Sequence, residues 1–244
     1  MLFCSGCETS YATGARFCAR CGRQLAELPE LLRNLEEQVA RFKAWADAYP
    51  RPLAERSGYW ECDYKDWNAV YDAVIPFVAA TTCEQWSVPT TRLVLYILAR
   101  DNEFGQVASE LRKKPDTLVC VAQRALELAD TEADAKWQLA VELSRVGWLS
   151  QQVEALLLAF AQDPDEYVRR RALVALADLG APLAAGFIES AWNSGDEYHR
   201  MAVLHALKAL NSPLLDEYLI RALADGRQYL AGYAARLRAG GAET

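Results

Sequence analysis

Apolar residues recur along most of the chain at steps of three and four, which is the spacing of one face of an α-helix. The clearest case lies between residues 26 and 49. Its apolar stripe consists of Leu28, Leu32, Leu35, Val39, Phe42, Ala46 and Tyr49. Pro50 and Pro52 follow, and proline cannot continue a helix. The stripe predicts one long helix that packs on the next domain, and a short coiled-coil seam that joins two chains is the alternative.

The pattern of residues 53–130 is helical as well, although it does not repeat regularly. Ser87 is a predicted helix cap with Pro89 in the first turn, and Thr117 is a predicted cap of a later helix. The alternation typical of strands does not reach a useful length outside the first 25 residues. We therefore expect an all-α body.

An internal repeat with a period of thirty-one positions begins at residue 165. The aligned positions are Asp165 to Tyr167 with Asp196 to Tyr198, Leu173 with Leu204, Pro182 with Pro213, and Tyr198 with Tyr229. A period of this length holds two helices, and each copy buries its apolar faces against the next. The repeat predicts a solenoid of stacked helix pairs.

The stretch from Asp163 to Gly180 resembles a HEAT repeat of the short bacterial type, with an Asp-Pro turn, a Val-Arg step and an Ala-Leu face. The resemblance covers residues 130–240 and implies a HEAT-like α-solenoid. In that family the turn aspartate and the following arginine commonly pair between neighbouring repeats, which implies a structural ladder. The residues of this ladder are Asp165, Arg169, Asp196 and Arg200.

Two CxxC pairs lie in the first twenty-one residues, Cys4 with Cys7 and Cys18 with Cys21. Each CxxC turn directs two sulfurs at one point, and the intervening ten residues are long enough for a hairpin that brings the pairs together. This spacing predicts one structural zinc ion per chain, because a four-thiolate site leaves no open position for a substrate. A thiol–disulfide couple is the alternative.

The residues around these cysteines resemble the short zinc ribbons found at the start of many bacterial proteins. Phe3 and Phe17 precede the first cysteine of each pair, and Gly22 follows the last one. The chain is therefore similar to bacterial HEAT-repeat proteins with an N-terminal four-cysteine zinc ribbon. The predicted domains are a zinc ribbon at 1–25, a connecting helix at 26–50 and a helical repeat array at 51–244.

The net charge of −7 lies entirely in the array, because residues 1–50 carry six basic and six acidic side chains. An acidic surface repels nucleic-acid backbones and attracts basic proteins. We expect a basic protein partner and no nucleic-acid or membrane partner. No uninterrupted apolar run approaches eighteen residues, and the first residues do not resemble a signal peptide. A cytoplasmic protein is expected, with Cys62, Cys83 and Cys120 as free, apolar-packed thiols.

Acidic and aromatic residues alternate in two short segments and recur at the repeat starts. The candidate partner-binding residues are Tyr59, Trp60, Glu61, Asp63, Tyr64, Asp66, Trp67, Asp101, Glu103, Tyr167 and Tyr198. Aromatic rings supply rigid contact area and carboxylates steer a basic partner. This interpretation requires the side chains to be exposed. The alternative is that the rings fill gaps between helices and that the acids favour helix dipoles.

Candidate catalytic residues are few, since His199 and His205 are the only histidines and lie on different faces of one predicted helix. We therefore expect a non-catalytic protein-binding module, an adaptor or an inhibitor such as an immunity or antitoxin protein. The alternative is a HEAT-like DNA glycosylase or another protein that acts on nucleic acid. Its candidate residues are Trp60, Asp63, Trp67 and Asp101.

Overall fold

The computed structural model describes residues 2–4, 7, 9–11, 15–22, 25–52, 55–56 and 60–239. These residues form two compact units, which divide between Gln138 and Leu139. The first unit holds a small antiparallel sheet and the helices up to this point, and the second unit is helical throughout its described residues. The domain boundaries expected at residues 25 and 50 stay predictions.

The sheet of the first unit has the strand order β2-β1-β3. Its strands are β1 (Leu2–Cys4), β2 (Thr9–Tyr11) and β3 (Ala26–Glu27). In the antiparallel register, residue Phe3 of β1 is opposite Ser10 of β2 and Ala26 of β3. The strand β3 leads directly into the first helix, so the cysteine-bearing segment and that helix are joined without a linker.

Helix α1 (Leu28–Asp47) is the long helix predicted from the first apolar stripe. Its buried face contains Leu31, Leu35, Val39 and Phe42, and it packs against α2 (Trp67–Ala80). The stripe is therefore covered within the chain, as the packing interpretation predicted. At the start of the helix the buried residue is Leu31, whereas the sequence pattern predicted that Leu28 and Leu32 would be buried.

The remaining helices of the first unit are α3 (Val88–Arg100), α4 (Gln106–Arg112), α5 (Pro115–Glu127) and the start of α6 (Ala133–Arg145). The Ser87 cap is confirmed, because its hydroxyl accepts a hydrogen bond from the Thr90 amide at 3.2 Å. The Thr117 cap is wrong. Helix α5 begins two residues earlier, at Pro115, because proline favours the first helical turn, and Thr117 is buried within it.

The helices of the second unit after α6 are α7 (Gln151–Phe160), α8 (Glu166–Asp178), α9 (Ala185–Asn193), α10 (Glu197–Ala209), α11 (Leu215–Asp225) and α12 (Gln228–Arg238). The predicted period is confirmed, since α8 and α10 begin thirty-one residues apart and each is followed by a second helix. Asp165 and Asp196 cap α8 and α10 by accepting hydrogen bonds from the amides of Val168 and His199.

The expected aspartate–arginine ladder takes a different form. The two turn aspartates serve as helix caps, and Arg169 donates to the carbonyls of Asp163 and Pro164. Arg200 pairs with Asp225, at the end of α11, and donates to the carbonyl of Trp192. The arginines are structural as expected, but their partners are backbone carbonyls and an aspartate that the repeat alignment did not identify.

Within the described part of the chain, no helix has the length and apolar character needed to cross a membrane.

The prediction of three free thiols is wrong for Cys83 and Cys120, which form a disulfide with 6.0 Å between their Cα atoms. Helix α5 packs on the short 3₁₀ segment that contains Cys83, and this tertiary contact joins residues thirty-seven positions apart. Cys62 is free but exposed, not packed among apolar groups.

Candidate metal centre and partner-binding residues

The four cysteines of the two CxxC pairs converge as predicted. The sulfur atoms of Cys4, Cys7, Cys18 and Cys21 all lie within 4.8 Å of one another. Cys4 lies at the end of β1, and the second pair is held in a tight turn in which the Gly22 amide donates to the Cys18 carbonyl at 2.8 Å. Gly22 has a φ of 73°, a value that residues with a side chain rarely adopt.

This cluster fits a tetrahedral metal ion. A metal–sulfur distance of about 2.3 Å places the four sulfurs about 3.8 Å apart, and the Sγ atoms of Cys4 and Cys21 are 3.5 Å apart. Contact with the Cys21 thiol and burial raise the pKa of Cys7 to about 12. The Cys7 thiol by itself therefore favours its protonated form, and a divalent cation would supply the positive charge that four thiolates need.

The segment around Trp60 does not have the exposure that the partner-binding interpretation required. Trp60 is 8% exposed, and Glu61 and Tyr64 are also buried. Asp63 and Asp66 are exposed, and Trp67 is half-buried. Tyr59 lies outside the described residues. The expectation of exposure is wrong for Trp60, because its ring stacks on Trp45 with 5.6 Å between centroids and 9° between planes.

These rings belong to an aromatic cluster that joins α1 to the rest of the first unit. Its members are Phe42, Trp45, Tyr49, Trp60, Tyr64, Trp67, Tyr71 and Tyr96. The fully buried Phe42 contacts Tyr64, Trp67 and Tyr96 at centroid distances of 4.8 to 6.1 Å. The guanidinium of Arg56 lies 4.2 Å from the Trp60 ring centre. Gap filling between helices, the alternative to partner binding, therefore describes these rings.

The second acidic–aromatic segment also contains both buried and exposed residues. Asp101 is 1% exposed and accepts hydrogen bonds from the Tyr71 hydroxyl and the Val107 amide, both at 2.7 Å. Burial raises the pKa of Asp101, which these hydrogen bonds partly oppose. Glu103 is exposed, as is the neighbouring Phe104. Asp101 and Trp60 were also candidates for base recognition in the glycosylase alternative, and both are buried.

Tyr167 and Tyr198 are the aromatic candidates that the second unit brings together. Tyr167 is half-buried, whereas Tyr198 is 47% exposed. The guanidinium of Arg170 lies 4.5 Å from the Tyr167 ring centre and 5.3 Å from that of Tyr198. Tyr198 stacks on Tyr229, which is 60% exposed, with 6.2 Å between centroids and 25° between planes.

We call Tyr167, Arg170, Tyr198 and Tyr229 the tyrosine ladder. The three tyrosines are the second residues of α8, α10 and α12, so the repeat places one ring at each step. The candidate list omitted Tyr229, although the thirty-one-residue period aligns it with Tyr198. Arg170 was also missed, because only the packing of successive repeats places it between two rings.

The arginines at and beside the ladder are paired within the second unit. Arg170 donates to Glu166 at 3.0 Å, and Arg227 donates to Asp225 at 2.6 Å. Hydrogen bonds from Arg227 and Arg200 lower the pKa of Asp225, with Arg227 as the larger cause. Arg170 and Arg227 are thus paired within the fold, and Tyr198 and Tyr229 are the ladder residues that remain exposed to solvent.

Comparison with known proteins supports the repeat assignment. Residues 153–237 match the family model described as HEAT repeats. No curated protein and no solved structure matches the chain. The matched span, about a third of the chain, begins in α7 and ends in α12, and the helical structure confirms an all-α fold with a HEAT-like α-solenoid. Repeat arrays of this kind generally provide surfaces for protein–protein interaction.

Proposed function

We propose that the protein is a non-catalytic binding module whose HEAT segment, residues 153–237, holds a basic protein partner on the tyrosine ladder. The observation that carries this proposal is the exposure of Tyr198 and Tyr229, stacked at equivalent positions of successive repeats. Tyrosine provides a large contact area with few rotatable bonds, which is why it is enriched at energetically important interface positions. The ladder also lies within the segment that matches the HEAT family.

Charge complementarity supports a basic partner. Residues 139–244 contain thirteen acidic and ten basic side chains, and the basic ones beside the ladder are engaged in the ion pairs described above. Asp216 and Glu217 of α11 are exposed. An arginine or lysine of the partner gains a favourable contact with the face of an exposed tyrosine ring, and the acids raise its rate of encounter.

In the first unit, the exposed members of the original candidate set are Asp63, Asp66 and Glu103. We propose that these three carboxylates attract a basic partner. Trp60 and Asp101 are buried, so they are not proposed to contact it. An adaptor and an inhibitor, such as an immunity or antitoxin protein, are the two forms of this function that we propose. Either form requires the same kind of surface.

We further propose that the four-cysteine cluster holds one structural zinc ion. All four ligands are thiolates, which zinc accepts in tetrahedral geometry, and a small sheet of three short strands has too little core to fold without such support. Elemental analysis after purification without chelators is expected to give one zinc per chain. A content far below one equivalent, or another metal in its place, would contradict this assignment.

The binding proposal is tested by a comparative pull-down with three baits: the wild-type protein, the double variant Tyr198→Ala/Tyr229→Ala, and the control Ile220→Ala. Ile220 is an equally exposed apolar residue of α11 outside the ladder. We expect the wild type and the control to capture the same basic protein and the double variant to lose it. Equal capture by all three baits would contradict the proposal.

A further inference from the structure

A cavity of about 290 Å³ lies within the second unit, apart from the tyrosine rings. Its apolar walls are formed by Leu173, Phe187 and Ala191, and its polar groups include Arg169, Ser190 and His199. These residues come from α8, α9 and α10, so two successive repeats enclose the space. A concave site that combines apolar walls with a few converging polar groups is typical of small-ligand pockets.

His199 is the unusual group in this cavity. His199 is 4% exposed, and its Nδ1 atom has no hydrogen-bond partner among the described residues. The carboxylate of Glu166 is 3.6 Å from Nδ1, too far for a hydrogen bond. The backbone of His199 is held in the first turn of α10, because its amide donates to the Asp196 side chain. Burying a polar group without a partner is unfavourable, so the fold maintains this arrangement at a cost.

Arg169 supplies a permanent positive charge to the same cavity. Its Nη1 atom donates to the carbonyls of Asp163 at 2.8 Å and Pro164 at 2.7 Å, which holds the guanidinium in position. The other guanidinium nitrogens, Nε and Nη2, make no hydrogen bond within the part of the chain that the structure describes. Nε and Nη2 form the edge that binds a planar carboxylate through two parallel hydrogen bonds.

Burial favours the neutral form of the His199 imidazole near pH 7. Burial lowers the pKa of His199, Glu166 and Asp196 partly oppose this effect, and Arg169 and Arg170 add to it. Among the described residues, Arg169 is bonded to backbone carbonyls and not to a carboxylate, and Nδ1 of His199 has no hydrogen-bond partner. A bound carboxylate would pair with the guanidinium and would favour protonation of the ring.

We propose that this cavity binds an organic carboxylate, with the carboxylate group on Arg169 and His199 and an apolar body against Leu173 and Phe187. The fork of free N–H groups favours a carboxylate, and the apolar walls favour an attached hydrocarbon or aromatic group. The carboxylate comes either from a free small molecule or from the C-terminus of a peptide, and both sources offer the same chemistry. This site is separate from the tyrosine ladder and does not rest on the proposed protein partner.

The test uses the two histidines as reporters in the intact protein. His199 and His205 are the only histidines, so substitution of either one assigns the ring signals of both in an NMR spectrum. His205 pairs with Asp178 and is not among the cavity residues, which makes it an internal control. Phenylacetate is the free-acid probe, and its uncharged analogue phenylacetamide is the matched negative control.

We expect phenylacetate to shift the His199 ring signals saturably, to raise the pKa of His199 and to leave His205 unchanged, whereas phenylacetamide has no effect. A short peptide that ends in a phenylalanine carboxylate, compared with its C-terminal amide, identifies the source. Response to the peptide acid assigns a protein terminus, and response to phenylacetate alone assigns a small molecule. Absence of a saturable His199 shift with both acids, or an equal response to the uncharged analogues, would overturn the proposal.

Substitutions locate the bound anion. Arg169→Gln is expected to weaken phenylacetate binding about ten- to hundredfold, the range for loss of a hydrogen bond between charged groups. If that variant does not fold, Ser190→Leu replaces it, because Ser190 is exposed at the rim and a larger side chain there obstructs the cavity without altering buried packing. Unchanged affinity in a folded Arg169→Gln or Ser190→Leu protein would also overturn the proposal.

Discussion

Trp60 and Tyr198 have similar chemistry and opposite roles. Both are aromatic residues next to carboxylates in the sequence, but Trp60 is 8% exposed and Tyr198 is 47% exposed. The difference arises from tertiary packing. Trp45 of helix α1 stacks on Trp60, whereas Tyr198 lies in the first turn of α10 and stays exposed. Local composition identified acidic–aromatic segments correctly and did not distinguish the buried segment from the exposed one.

The burial of Trp60 predicts a large loss of stability on truncation. Trp60→Ala removes a ring that stacks on Trp45 and lies under Arg56, so the free energy of unfolding is expected to fall by about 3–5 kcal/mol. Asp63→Ala is the neighbouring control, because Asp63 is exposed and its carboxylate accepts a hydrogen bond from the Tyr49 hydroxyl at 2.8 Å. Urea unfolding measures both. Similar stability of the two variants would contradict the aromatic cluster's role.

At the scale of elements, the repeat period and the Ser87 cap were predictable because they depend on local sequence. The pairing of Arg200 with Asp225 and the disulfide between Cys83 and Cys120 were not predictable, since both join residues that only tertiary packing brings together. The four-cysteine cluster lies between these cases. Its ligand spacing is itself local, so the convergence of the four sulfurs was predicted correctly.

The Asp225 pairs predict a stability effect that depends on pH. Arg227 and Arg200 lower the pKa of Asp225 below its ordinary value of 3.8. The pairs therefore contribute fully to stability well above pH 3.8, and this contribution is lost progressively as the pH falls from there towards the lower pKa of the folded state. Asp225→Asn should lower the melting temperature near pH 7, with a difference from wild type that begins to shrink below about pH 5 and keeps shrinking as the pH falls below 3.8. Asp216→Asn, an exposed change on the same helix, is the control, and a pH-independent difference for Asp225→Asn would contradict this account.

A second prediction at this scale concerns the cysteine segment. Cys18→Ser removes a buried ligand, so zinc is expected to be lost together with the local sheet, while the helices retain their own cores. Far-ultraviolet circular dichroism should remain strongly helical. Cys62→Ser, an exposed cysteine outside the cluster, should leave both zinc content and helicity unchanged. Loss of most helical signal in Cys18→Ser would show that metal binding and the helical body form one cooperative unit.

For the whole molecule, the fold class followed from pattern and resemblance, whereas the position of the proposed binding surface was inferred from the structure. A thirty-one-residue period specifies helix pairs, and the HEAT family match over residues 153–237 agrees with it. The period does not specify which aromatic ring of each repeat is exposed. The tyrosine ladder depends on tertiary structure, which places Tyr167, Tyr198 and Tyr229 at the same position of three helices and Arg170 close to two of the rings.

The most direct test of the account is the dissociation constant of the captured partner for the wild-type protein, for Tyr198→Ala/Tyr229→Ala and for the control Ile220→Ala. Loss of at least about 2 kcal/mol of binding free energy, roughly a thirtyfold weaker complex, is expected for the double variant and not for the control. Melting temperatures should stay nearly equal, because both tyrosines are exposed. Unchanged affinity in a folded double variant would contradict the claim that the tyrosine ladder is the binding surface.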